Sequence, residues 1–150
     1  MENVLLVIDL QPAFRVDPYY DMCIDWIKEN KNNYDKVLAT RFINKLDSVY
    51  TNRLNYFGAM TREKLEFPYD ELFSKYTYDC GMGFYKQLKN SHVDVIGCDT
   101  DACVLSICFE LFKYNIDFSV LQDYCYSAGG NNIHNAALDI IYRNCGDVIK

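Results

Sequence analysis

One cysteine of the chain occupies a position at which a thiol could act as a nucleophile. Cys103 ends the segment GCDTDAC of residues 97–103 and opens an apolar run that predicts a helix. Unpaired backbone N–H groups and the helix dipole favour an anion in the first turn of a helix, and such positions lower the pKa of a thiol to about 3.5–7.5. The same N–H groups could stabilise the oxyanion that forms when a thiolate attacks a carbonyl. The position alone leaves a second interpretation open, in which Cys103 is a small buried side chain beside Ala102 and Val104.

A thiol nucleophile needs a base, and the chain has only two histidines that could supply one. His92 precedes a predicted strand and His134 lies in the last predicted helix, so neither is well placed beside Cys103. Asp9, at the end of the first predicted strand, is the better candidate to accept the thiol proton. A lysine would then be needed to balance the buried carboxylate, and the residues alone do not name it.

Length and composition limit the classes of protein to which the chain can belong. Its 150 residues are about one domain's worth, so we predict a single domain over residues 1–150. Half of the residues are hydrophobic and 24% are charged, which is typical of a globular core and not of disorder. The net charge is −6 and no basic run occurs, so we predict no nucleic-acid partner. No apolar run approaches the roughly 20 residues of a membrane helix, which predicts no membrane partner.

The cysteines indicate the compartment. There are seven of them, an odd number with no C-x-x-C pair, and the first residues lack the positive flank and cleavage site of a secretory signal. This usage favours a reducing cytoplasm over a disulfide framework. For most of these thiols we expect the role of a small buried hydrophobic side chain.

Strands alternate with helices along the chain, and the strands are almost continuously apolar. Strands are predicted over residues 2–10, 35–42, 93–97 and 117–121, and helices over residues 17–30, 81–90, 100–114 and 131–145. We expect the 100–114 helix to be buried almost all round, and residues 43–79 to form a long loop with short helical pieces. The pattern predicts an α/β fold of three αβα layers with a mostly parallel central sheet.

In such sheets, sites form beyond the carboxyl ends of the strands. The first predicted strand ends at Asp9, the second at Thr40-Arg41, and the third runs through Gly97 into the turn that holds Cys103. The sequence therefore places its candidate base and its candidate nucleophile at the same edge of the sheet.

Four segments in this order resemble the isochorismatase-like cysteine hydrolase family. They are residues 4–11 (VLLVIDLQ) with Phe14, residues 72–78 (LFSKYTY), residues 93–104 (VDVIGCDTDACV), and Asp123 followed by Ser127 and residues 134–138 (HNAAL). The third segment resembles the nucleophile motif of the family and is the most specific, and the second resembles its lysine motif. Together they span nearly the whole chain.

The resemblance implies a catalytic triad of Asp9, Lys75 and Cys103. In the family, the aspartate takes the thiol proton and returns it to the leaving group, and the lysine stabilises the carboxylate and the thiolate. The cysteine attacks a carbonyl carbon to give an acyl-thioester that water hydrolyses. The resemblance also implies a cis peptide bond between Cys98 and Asp99, which aims the backbone N–H of Asp99, with that of Cys103, at the oxyanion.

The resemblance extends to other side chains around the expected pocket. Phe14 and Tyr78 resemble aromatic wall positions of the family, although aromatic side chains are as often part of a core. Gln11 is expected to stabilise a turn, and His134 to be structural. Arg41 has two interpretations, as a contact for an anionic substrate group or as a solvated or salt-bridged side chain.

The chain departs from part of the family after the second predicted strand. Nicotinamidase-type members carry an acid and histidines there that hold a metal ion, whereas residues 41–47 of this chain read RFINKLD and no histidine precedes His92. We therefore predict no metal and no other cofactor, which makes nicotinamide a doubtful substrate. The chain is also short for the family, mostly within residues 43–79, which would shape the pocket.

These observations predict a cytoplasmic, metal-independent cysteine hydrolase that cleaves the C–N bond of a small amide-like substrate through an acyl-thioester on Cys103. An isochorismatase-type vinyl-ether hydrolase is the alternative within the family, in which Asp9 matters and the cysteine does not. A third hypothesis is a non-catalytic relative that binds a metabolite or a protein partner. Family members commonly assemble as dimers or tetramers, so the resemblance also implies a homo-oligomer.

Overall fold

Five parallel strands form one sheet in a computed structural model that describes all 150 residues. The strands are β1 (Glu2–Ile8), β2 (Lys36–Phe42), β3 (Glu71–Lys75), β4 (Ser91–Cys98) and β5 (Asp117–Tyr126), in the spatial order β3-β2-β1-β4-β5. The helices are α1 (Tyr19–Asn30), α2 (Val49–Leu54), α3 (Met82–Lys86), α4 (Leu105–Lys113) and α5 (Asn131–Cys145). The predicted three-layer α/β fold is confirmed.

The apolar run of β1 explains why this strand is the centre of the sheet. It pairs with β2 on one side and β4 on the other, and both of its faces are buried. Val4, Leu6 and Ile8 pack with helices α3, α4 and α5 in one core. Leu5 and Val7 point to the opposite face and pack with α1 in the other. Because side chains alternate between the faces of a strand, only a continuous apolar run can serve two cores at once.

The prediction that residues 43–79 form only loop and short helices was wrong in one respect, because the region contains β3. This strand lies at the edge of the sheet, has β2 as its only partner, and is mostly half-buried. Its five residues therefore show neither a continuous apolar run nor a strict alternation. The register pairs Phe42 of β2 with Lys75, which places Lys75 at the carboxyl edge of the sheet.

The 100–114 helix differs from its prediction in two ways. Its first part, Thr100–Val104, is a π-helical turn, and the regular helix α4 follows. It is also not buried all round, because Phe109 and Phe112 lie on an exposed face.

The expected homo-oligomer stays a prediction. No helix of the chain is both long and apolar enough to cross a lipid bilayer.

All seven cysteines are free thiols, and six of them are buried. Cys108, Cys125 and Cys145 pack inside the core under α4 and α5, while Cys23 packs in the core under α1. The prediction that most of the thiols are small buried side chains is confirmed.

Replacing Gly97 by alanine is expected to lower the free energy of unfolding by at least about 2 kcal/mol. Gly97 lies in β4 with a φ of +121°, and an added Cβ would collide with the backbone of Ile8 in β1. Urea unfolding would report the loss as a lower midpoint. Gly83→Ala is the matched control, because its Cβ would meet no atom within 4 Å. Equal losses in the two variants would contradict the explanation.

Candidate active site

Three side chains from distant parts of the chain meet at the carboxyl edge of the sheet. Asp9 directly follows β1, Lys75 is the last residue of β3, and Cys103 lies in the π-helical turn after β4. The Lys75 ammonium lies 2.7 Å from Oδ2 of Asp9 and 3.2 Å from Sγ of Cys103. The structure thus brings together the three residues that the sequence and the resemblance singled out.

Lys75 is enclosed by acceptors on every side. Its third contact is the backbone carbonyl of Thr77, at 2.9 Å from Nζ, so three possible acceptors lie within 3.2 Å of an ammonium that has three N–H groups. Only 1% of the Lys75 side chain and none of the Asp9 side chain is exposed. Burial by itself lowers the pKa of Lys75, but the negative charge of Asp9 and the contact with Cys103 outweigh it and raise that pKa. Lys75 is therefore a permanent cation with no donor left over.

The Asp9 carboxylate is held by the neighbouring strand. The hydroxyl of Thr40, in β2, donates to Oδ1 of Asp9 at 2.7 Å and accepts from the Asp9 backbone N–H at 3.1 Å. Asp9 itself has a φ of +52°, which turns the chain sharply at the end of β1. Sequence reasoning noticed Thr40 at a strand end but gave it no role. The signal that could have found it is a hydroxyl near the end of the strand that pairs with β1, next to the candidate base.

Gln11 has the structural role that was expected of it. Its side-chain amide donates to the backbone carbonyl of Phe42 at 2.9 Å and its oxygen accepts from the Phe42 N–H at 2.8 Å. The same amide also donates to Glu63 at 2.9 Å. Gln11 therefore ties the turn after β1 to the end of β2.

The predicted lowering of the pKa of Cys103 was wrong. The thiol is buried, and burial together with the nearby Asp9 carboxylate raises its pKa well above the ordinary value. Lys75 acts in the opposite direction but does not compensate. The prediction counted only the helix terminus, whereas desolvation of the charged form is the larger effect here. In the resting protein the group is a neutral thiol beside a carboxylate.

Asp9→Asn is expected to lower the pKa of Cys103 and to speed its alkylation near pH 8. The substitution removes the negative charge that opposes the thiolate and leaves Lys75 free to stabilise it. Iodoacetamide labelling at several pH values, followed by peptide mass spectrometry, measures the effect. In the native protein we expect labelling to rise only at pH values above the usual pKa of a thiol. Slower labelling in Asp9→Asn than in the native protein would contradict this electrostatic assignment.

The turn before Cys103 is braced from several sides. The peptide bond between Cys98 and Asp99 is cis, and the Asp99 N–H donates to no other group of the protein. The Asp99 carboxylate accepts from the backbone N–H of Ala128 at 3.0 Å. Burial raises the pKa of Asp99, and this hydrogen bond opposes the rise. The turn thus keeps one backbone donor free close to the nucleophile.

Two further side-chain contacts hold the same turn. Asp101 accepts from the Ser127 hydroxyl at 2.5 Å, and the hydroxyl of Thr100 lies 2.7 Å from Nδ1 of His134. His134 lines no wall of the cavity beside Cys103 and braces the turn from α5, in keeping with its expected structural role.

A cavity of about 280 Å³ opens beside Cys103. Ten residues line it: Phe14, Phe42, Tyr50, Tyr56, Tyr78, Cys98, Asp99, Asp101, Ala102 and Cys103. Phe14 and Tyr78 were expected on its walls, and both lie there. The other three rings and Asp101 were not anticipated. The cavity has the size and the apolar lining of a site for a small molecule.

The aromatic walls are joined by ring contacts. Tyr50 meets Phe42 and Tyr78 edge-on, with centroids 5.0 Å apart in both pairs, and Phe14 stacks on Tyr56 at 6.4 Å. Tyr50 and Tyr56 come from the region that sequence reasoning interpreted least well. Only their aromatic type could have suggested a role.

Arg41 does not line the cavity. Its guanidinium donates to the backbone carbonyl of Glu63 at 3.0 Å and to the Ser74 hydroxyl at 3.1 Å. Of its two sequence interpretations, the contact with an anionic substrate group is not supported.

Comparison with solved structures shows which fold this is. A nicotinamidase from Bacillus subtilis superposes with a TM-score of 0.77 at 16% identity, over 99% of each chain. An isochorismatase-like hydrolase from Alkaliphilus metalliredigens gives a TM-score of 0.76 at 14% identity, over 100% of this chain and 95% of that one. A pyrazinamidase of Pyrococcus horikoshii in complex with zinc gives a TM-score of 0.73 at 19% identity, over 100% of this chain and 98% of that one. The chain therefore has the fold of the isochorismatase-like hydrolases.

Comparison of sequences alone identifies no family for the chain. No family model matches the chain, and no curated protein matches it significantly.

One of these solved structures is a complex with zinc, which raises the question of whether this chain could hold a metal. The last two residues of β2 are Arg41 and Phe42, and Phe42 is part of the cavity wall. Asn44 follows two residues after the strand, and its amide donates to the Tyr56 carbonyl at 3.0 Å. No three His, Cys, Asp or Glu side chains are grouped so that they could bind an ion. These residues do not fit a metal site, and the chemistry below uses none.

Proposed function

We propose that the chain is a metal-independent cysteine hydrolase of the isochorismatase-like family, which cleaves the C–N bond of a small amide through an acyl-thioester on Cys103. One observation carries this proposal. A buried lysine bridges a carboxylate and a thiol at the wall of a cavity of small-molecule size. The fold shared with nicotinamidases supports it.

In the proposed acylation step, Asp9 accepts the proton of the Cys103 thiol while Sγ attacks the carbonyl carbon of the substrate. The carbonyl π electrons move to oxygen, and the free N–H of Asp99, with that of Cys103, stabilises the resulting oxyanion. When the tetrahedral intermediate collapses, the C–N bond breaks and the leaving nitrogen takes the proton from Asp9. The products are the acyl-thioester and ammonia or an amine.

In the second step, Asp9 acts as the base again. It takes a proton from water while the water oxygen attacks the thioester carbonyl. The same two backbone N–H groups stabilise the second oxyanion. Collapse breaks the C–S bond, and the thiolate recovers its proton from Asp9. The acid leaves, and the resting thiol is restored with all atoms accounted for.

The electrostatic arrangement supports this sequence of steps. The negative charge begins on Asp9 and passes through sulfur to the substrate oxygen, and the Lys75 ammonium lies within 3.2 Å of the first two positions. The raised pKa of Cys103 explains why a base is required at all, since the thiol does not ionise unaided. A fixed cation near a migrating charge needs no reorganisation during the reaction.

The test is a panel of small amides and ureides incubated with the purified protein. Hydrolysis is followed by release of ammonia or amine, and the acyl-enzyme is trapped by acid quenching and located by peptide mass spectrometry. The proposal expects an acyl mass on the peptide that contains Cys103. Turnover that continues after Cys103 is removed would contradict it.

A further inference from the structure

The cavity beside Cys103 is lined by negative charge that has no ionic partner. The carboxylates of Asp99 and Asp101 both line it, and neither forms a salt bridge. Each uses one oxygen, Asp99 for the Ala128 N–H and Asp101 for the Ser127 hydroxyl, which leaves a second oxygen without a partner in the protein.

No cation of the protein is available to a negatively charged ligand in the same place. No lysine, arginine or histidine lines the cavity. The Lys75 ammonium already contacts Asp9, Cys103 and the Thr77 carbonyl, and Arg41 is bonded to Glu63 and Ser74. A ligand carboxylate would therefore lose its water without gaining a charged partner, which is costly.

The remaining walls favour a positive charge. Five aromatic rings line the cavity, and the face of an aromatic ring attracts cations within about 6 Å of its centre. Aromatic faces combined with unpaired carboxylates are the chemistry by which proteins recognise ammonium groups.

We infer that the cavity selects a small amide whose portion remote from the scissile bond carries a positive charge, such as an ammonium group. This inference rests on the proposed hydrolase function and adds the class of its substrate. The ammonium group would lie among the aromatic rings with Asp101 beside it, while the amide carbonyl lies at Cys103.

Three matched benzamides test the charge preference. They carry an aminomethyl, a methyl or a carboxylate group at the meta position, so they differ little in size and strongly in charge. We expect kcat/KM for the aminomethyl compound to exceed that of the methyl compound by about tenfold, and the carboxylate compound to be the poorest. Added salt should reduce the difference between the charged compounds.

Asp101→Asn locates the source of the preference. The substitution keeps an oxygen for Ser127 but removes the charge. The ratio of kcat/KM for the aminomethyl compound to kcat/KM for the methyl compound should therefore fall by about fivefold. Asp25→Asn is the matched control, because Asp25 is exposed on α1 and lies outside the cavity. Its substitution changes the net charge by the same amount. An equal fall in both variants would overturn the assignment to Asp101.

Binding separates this inference from the proposed function. Calorimetric titration of Cys103→Ala with the three compounds requires no hydrolysis, and tighter binding of the cation supports the inference even if none of them is cleaved. Preference for the neutral or anionic compound, or no saturable binding of any, would overturn the inference. Hydrolysis that persists in Cys103→Ala would contradict only the proposed function.

Discussion

Cys103→Ala is expected to lower the turnover of any small amide that the native protein hydrolyses by about 10³-fold or more, and to abolish the acyl-enzyme. The loss is large because the sulfur forms the covalent bond to the substrate in the first step and releases it in the second. Ammonia release and intact-protein mass spectrometry after acid quenching give the two readouts. Thermal unfolding shows whether the variant is folded.

A second buried thiol provides the control. Cys145→Ala removes a thiol of similar burial from the end of α5, outside the cavity, and should leave turnover unchanged. Full turnover of the amide in Cys103→Ala would contradict the thioester route. Hydrolysis of a vinyl ether that persists in Cys103→Ala and is lost in Asp9→Asn would favour vinyl-ether hydrolysis. No turnover in the native protein, with no labelling of Cys103, would favour the non-catalytic alternative.

The meeting of base and nucleophile could be predicted from the sequence because each lies in the turn that follows a central strand. Asp9 ends an apolar run that forms β1, and Cys103 follows one that forms β4. The two strands are adjacent and parallel, so their carboxyl ends lie at the same edge. Hydrophobic pattern and parallel topology together were sufficient for this part of the site.

Lys75 could not be predicted in this way, because it belongs to an edge strand. β3 has one partner and half-buried faces, so its pattern does not differ from that of a loop. Only the resemblance singled it out. The structure supplies the physical reason, since pairing with Phe42 brings the lysine to the carboxyl edge.

The cavity walls depend on contacts that local spacing does not encode. Tyr56 is held where its backbone carbonyl accepts from the Asn44 side chain, and Tyr50 is held by Phe42 and Tyr78. Each contact joins residues that are separated in the chain by a loop, a helix or a strand. An aromatic residue in a loop shows its role only after the loop has been placed.

The protonation state of Cys103 shows a similar limit. Its place at the start of a helical segment was visible in the sequence, and that place alone favours a thiolate. Its burial and its proximity to Asp9 arise only from the fold, and they reverse the direction of the pKa shift. Sequence position indicated the functional group but not its resting charge.

Breaking the buried ion pair is expected to cost several kcal/mol in the free energy of unfolding. Lys75→Met leaves Asp9 as an uncompensated charge away from water, and losses of about 3–5 kcal/mol follow from removing one partner of such a pair. Asp9→Asn should cost less, because Cys103 can ionise and become the new partner of Lys75. Urea unfolding of both variants at the same pH measures the two losses.

The double variant Asp9→Asn with Lys75→Met separates stability from catalysis. It removes both buried charges, so its free energy of unfolding should lie well above the value expected from adding the two single losses. Its turnover should stay as low as that of either single variant, because the base and the cation are both gone. If the losses are additive, the two charges are not coupled as the 2.7 Å contact requires. If turnover recovers with stability, the pair stabilises the fold and takes no part in the chemistry.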